Sequence, residues 1–105
     1  MGHLYYGGAA QPIDIPDRML AHIKVVIATK LRRGESFTLT WRDAAGRSTI
    51  WLQPAIELRF VFASPEPEML DPEMLQRLAN EAAGSAGMMI DLTASTDSPA
   101  PAQPR

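Results

Sequence analysis

PDRMLAHIKVVIATKLRRGESF, residues 16–37, decides the fold: it reads as one amphipathic helix of about five turns that runs into a strand. At 100° per residue, Met19, Leu20, Ile23, Val26, Ile27 and Leu31 form an apolar stripe. Arg18, His22, Thr29 and Arg32 fall on the other side, Lys24 lies at the margin, and Val25 breaks the pattern. Pro16 suits the first turn, where its missing N–H costs no hydrogen bond, and Asp14 is the expected N-cap. Asp17 faces the positive end of the helix dipole, Lys30, Arg32 and Arg33 face the negative end, and Gly34 supplies a left-handed stop.

The helix is strongly basic: Arg18, Lys24, Lys30, Arg32 and Arg33 stand against the single anion Asp17. Such a face either docks phosphates or an acidic partner, or is a solvated surface whose basic end complements the dipole. The cluster Leu31-Arg32-Arg33 is the core of the candidate contact surface, which takes in Arg18, Lys24, Lys30 and Arg47.

Before the helix, HLYYG (3–7) and QPIDI (11–15) predict an N-terminal hairpin, with Pro12 placing the second strand at an edge. After it, SFTLTWRD (36–43) alternates Phe37, Leu39 and Trp41 against Ser36, Thr38, Thr40 and Arg42. A turn through Gly46 returns the chain as STIWLQ (48–53), with Ile50 and Leu52 inward and Trp51 outward beside Thr38 and Thr40. IELRFVFA (56–63), with Ile56, Leu58, Phe60 and Phe62 inward, reads as the third strand of an antiparallel meander. SPEPEML (64–70) is an acidic connector, and Asp71-Pro72 opens a short second helix to about residue 83, with Met74, Leu75, Leu78 and Ala82 apolar. MMIDL (88–92) suits a last strand. The expected fold is therefore one α+β domain over 1–92, followed by a disordered Ser/Thr/Pro/Ala-rich tail over 93–105.

Composition narrows the function classes. A chain of 105 residues without cysteine has no disulfide framework, thiol nucleophile or thiolate metal site. No apolar run reaches the ~18 residues of a membrane span, and no secretory leader is visible, so cytoplasmic residence is expected. The net charge of −2 is not that of a general nucleic-acid binder. It is unevenly spread, with eight Lys/Arg against five Asp/Glu through residue 63 and two against seven beyond it.

His3 and His22 are the only histidines and form no ligand pair. Met1-Gly2-His3 with a free amine would suit square-planar copper or nickel, but removal of Met1 spoils that geometry, so no metal or cofactor is expected. Tyr6 stands where a myristoylation signal needs Ser or Thr. No serine lies in a G-x-S-x-G frame, and no phosphate-binding glycine loop is present. Two surfaces stay open at this point. Basic residues with the exposed Trp51 suit nucleic acid or an acidic protein, whereas Trp51, Val61 and Val25 suit an interface between copies of the chain. Arg42 and Arg59 are expected to pair with Asp43, Glu57 or Glu35 across strands.

Three blocks, MGHLYYG, LAHIKVVIATKLRRGESF and GRSTIWLQPAIELRFVF, together resemble a family of small, uncharacterised actinobacterial proteins grouped as a domain of unknown function. The resemblance covers roughly residues 1–63, and the connector, second helix and tail look like the family's variable part. Some members carry the label ATP-dependent DNA ligase. That chemistry needs a nucleophilic lysine in a K-x-D-G frame, whereas Lys24 is followed here by Val-Val-Ile and Lys30 by Leu-Arg-Arg. The resemblance brings no assigned mechanism: the label implies at most a genomic association or a misassigned fragment, which slightly raises the nucleic-acid reading, and the function expected from the residues is a non-enzymatic binding module.

Overall fold

Helix α1 (Asp17–Arg32) is the longest element of the computed structural model, which describes residues 1–93. The expected tail lies outside the described residues apart from Thr93. Strands β1 (Gly2–Tyr6) and β2 (Ile13–Ile15) precede the helix as an antiparallel hairpin, with β2 at the sheet edge that Pro12 requires. After it come β3 (Phe37–Asp43), β4 (Gly46–Leu52), β5 (Leu58–Val61), helix α2 (Pro72–Ala83) and β6 (Met88–Asp91). The α+β class and the order of elements match the sequence reading.

The strand pairing differs from it, because β5 does not continue the meander. It pairs antiparallel with β1, giving one sheet of order β2-β1-β5, while β6 joins β3 in parallel to give a second, β4-β3-β6. The cause lies in the segment after β4. Pro54 has no amide for a ladder, and a turn closed by Ile56 N–H to Gln53 O (3.2 Å) redirects the chain. The Glu57 carbonyl then accepts from Gly7 N–H (2.8 Å) and seats β5 on β1.

Both sheets bury one face in a common core. Leu4 and Ile15 come from the first, and Phe37, Leu39, Leu52, Met88 and Ile90 from the second. They meet Leu20, Ile23, Val26 and Ile27 of α1 and Leu78 and Ala82 of α2. The stripe read from sequence is thus the buried one, with Met19 and Leu31 half-buried at its margins.

Two features of α1 depart from expectation. Pro16, not Asp14, occupies the N-cap and offers no side-chain bond; Asp14 instead lies 2.7 Å from His3 Nδ1. Asp17 accepts from the amides of Ala63 and Ser64 (3.0 and 3.2 Å), fastening the helix start to the end of β5. His22 is wholly buried, although it falls on the side assigned to solvent. The reason is α2, which packs over the Arg18–His22–Val25 side of α1.

Histidine 22 makes the joint between the helices. Its Nε2 accepts the Asp71 amide (2.8 Å), so Nδ1 carries the proton and donates to the Arg18 carbonyl (2.6 Å). Asp71 caps α2 by accepting from Glu73 N–H (3.0 Å) and lies 3.6 Å from the Arg18 guanidinium. One buried ring thereby orients the residue from which α2 starts.

His22→Leu keeps most of the side-chain volume but leaves the Asp71 amide without its acceptor. A loss of about 1–3 kcal/mol is expected, measured by urea denaturation, with an unchanged value showing that the imidazole bonds add nothing.

Candidate anion-binding surface

Four of the six candidate cations lie on α1 and a fifth, Arg33, is its C-cap residue; the fold treats them unequally. Arg18 is drawn to Asp71, as described. Lys24 Nζ sits 5.7 Å from the centre of the Phe62 ring, in a cleft it shares with Glu66 and Glu68 of the connector. Lys30 Nζ lies 2.9 Å from Glu35 Oε1 across the helix stop. The Lys30 hydrogen bond, then its charge, and more weakly the Arg33 charge hold the Glu35 carboxyl below its ordinary value.

Arg32 and Arg33 remain. Both are exposed, Arg32 on the last turn and Arg33 at the C-cap, where the carbonyl end of the helix favours cations. Neither side chain makes a hydrogen bond or ion pair among the described residues.

Arg47 does not join them. It stands opposite Arg42 near the turn of the β3–β4 ladder, whereas Phe37 and Leu52 close the end nearer α1. Five residue steps along β3 separate the two ends, roughly 17 Å of strand. The pairings foreseen for the sheet arginines also differ. Arg42 meets Asp91 of the neighbouring β6 (3.4 Å), and Arg59 stacks over Tyr5 with its guanidinium 4.5 Å from the ring centre. Both partners lie on strands whose adjacency no local pattern reveals.

Trp51 is 56% exposed on the open face of β4, beside Thr38, while Val61 is half-buried on β5 opposite His3. They belong to different sheets.

Between the helices runs a groove of about 390 Å³ that the sequence reading missed. Val25, Leu75, Ala79 and Ala83 make its walls apolar, and Lys30 and Arg33 line it with charge. Its signal was Val25, the apolar residue that a single sheet-facing stripe leaves unexplained. Among the described residues no cluster of His, Asp or Glu could hold a metal ion, and no helix is long and apolar enough to cross a membrane.

The family described as "Domain of unknown function (DUF7882)" matches residues 1–93. The chain belongs to DUF7882. The match extends through α2 and β6, so the connector, second helix and last strand lie within the family's domain. No curated protein and no solved structure matches the chain.

The Lys30–Glu35 contact has a pH consequence for the DUF7882 domain. A carboxyl lowered in the folded state adds stability above its unfolded pKa and loses that contribution as pH falls through the folded one. Lys30→Met should therefore raise the Glu35 titration toward the ordinary 4.5, followed by NMR of the side-chain carboxyl. An unmoved titration would show that Lys30 does not set it.

Proposed function

We propose that this DUF7882 domain is a non-enzymatic binding module that takes an acidic, amphipathic segment of a partner protein in the groove between α1 and α2. The observation that carries this reading is the pairing of an apolar groove with exposed arginines that form no hydrogen bond or ion pair among the described residues. Lys24, Arg18 and Lys30 are engaged within the chain by Phe62, Asp71 and Glu35. Arg33 lines the groove and Arg32 precedes it in the chain, so an incoming carboxylate would meet a guanidinium fork that makes no ion pair among the described residues.

Val25, Leu75 and Ala79 would receive the apolar side of the same segment. A nucleic acid, the other partner foreseen, fits less well. A polyanion requires a broad basic face, and here the acidic connector borders α1 in a chain of net charge −2. Arg47 lies too far along the sheet to extend the basic end into such a face.

Fluorescence anisotropy tests the choice with a labelled amphipathic peptide bearing Glu on one face and Leu on the other, beside labelled single- and double-stranded DNA and RNA, across a salt series. The peptide should bind with salt-weakened affinity, and Arg32→Glu with Arg33→Glu should abolish binding while leaving the circular dichroism unchanged. Unchanged peptide binding in that folded variant refutes the surface. Binding of the oligonucleotides alone would make the same arginines a phosphate site.

A further inference from the structure

Of the edge strands β2, β4, β5 and β6, β4 is the longest, with seven residues, and Gly46 to Thr49 are all exposed. An open edge of that length is a template for another strand. The edge of β6, by contrast, is guarded: Glu81 Oε1 accepts from Met89 N–H (3.1 Å).

The direction of the free groups on β4 follows from its neighbour. Leu92 N–H donates to the Arg42 carbonyl (2.7 Å) on the β6 side of β3. Main-chain groups alternate in direction along a strand, so Thr38, Thr40 and Arg42 address β6, and Phe37, Leu39, Trp41 and Asp43 address β4. Their partners on β4 are Leu52, Ile50, Ser48 and Gly46. Arg47, Thr49 and Trp51 are left with N–H and C=O aimed outward. The Tyr6 hydroxyl agrees with this, since it donates to the Trp51 carbonyl from outside the ladder.

We propose that β4 pairs antiparallel with β4 of a second copy of the chain, about a two-fold axis at Thr49. An isologous contact must match the strand with itself. An axis at Ser48 would set Trp51 against Ala45 in the turn, and one at Ile50 would set Arg47 against Gln53 beyond the strand end. An axis at Arg47 would set two like charges opposite each other, which is unfavourable. The axis at Thr49 alone matches all three outward residues with outward residues: Arg47 with Trp51, Thr49 with Thr49, and Trp51 with Arg47.

Side chains favour the same register. Arg47, Thr49 and Trp51 project from one face of β4, so each guanidinium comes to lie over the exposed indole of the second copy. The chain already uses this contact, with Arg59 over Tyr5. The Trp51 carbonyl has two lone pairs and can keep the Tyr6 hydroxyl while accepting a ladder amide. The product is a continuous sheet in the order β6-β3-β4-β4-β3-β6.

The chain has no cysteine, so a single introduced thiol reports the axis. Residues directly opposed in such a hydrogen-bonded pair have Cα atoms about 5.5 Å apart, within disulfide reach. Light scattering of the native chain should show the mass rising toward twice the monomer with concentration. Thr49→Pro, which removes an outward amide and no internal ladder bond, should stay monomeric with unchanged circular dichroism. Under mild oxidation Thr49→Cys should cross-link, and Ser48→Cys and Arg47→Cys should not. A native chain monomeric at every concentration, or Thr49→Pro dimerising as the native chain does, overturns the proposal. If Thr49→Pro does not fold, the cysteine series decides: cross-linking at position 48 or 47 in place of 49 refutes the axis.

Discussion

Helix α1 has to serve two sheets at once, and the rest of the structure depends on that. Three-stranded sheets are stable when a helix or a second layer covers their apolar face. Here Leu4 and Ile15 on one side and Phe37, Leu39 and Leu52 on the other converge on Leu20, Ile23, Val26 and Ile27. Neither sheet has a core of its own. The split of the strands into two small sheets is tolerable because one helix surface, broadened by α2, reaches both.

The broadening explains His22. A helix that covers a sheet leaves its far side wet, whereas this helix carries a second one there. The imidazole satisfies a half-buried backbone amide at the start of α2 that would otherwise lack an acceptor in the chain. A single polar residue in that position makes the helix pairing directional, since an aliphatic side chain would permit α2 to slide along the groove.

Much of the fold was legible because its signals are local. The α1 stripe, the alternation in β3 and β4, and Asp71-Pro72 at the start of α2 each depend on a few adjacent residues. The neighbour of β5 was not legible. Alternation in Ile56, Leu58, Phe60 and Phe62 says which side of the strand is apolar, not which strand lies beside it. The same limit applies to the candidate surface. Sequence supplies the cations, and Lys30 lies close enough to Glu35 for their contact to be local. Arg18–Asp71 and Arg42–Asp91 join distant segments, so the number of cations retained for a partner depends on tertiary structure.

The parallel placement of β6 against β3 also sets a timetable for biosynthesis. Everything that the β2-β1-β5 sheet needs has been made once Val61 leaves the ribosome, whereas β3 keeps one edge unfilled until Met88–Asp91 emerge. During that interval Leu39 lacks the cover that Met88 later provides. Closing the second sheet then requires a loop of about half the described residues, from Leu39 to Met88, and such non-local closures are slow. Until then the nascent chain holds every strand of one sheet but leaves an apolar edge of the other bare, and exposed edges of that kind are what a holding chaperone binds.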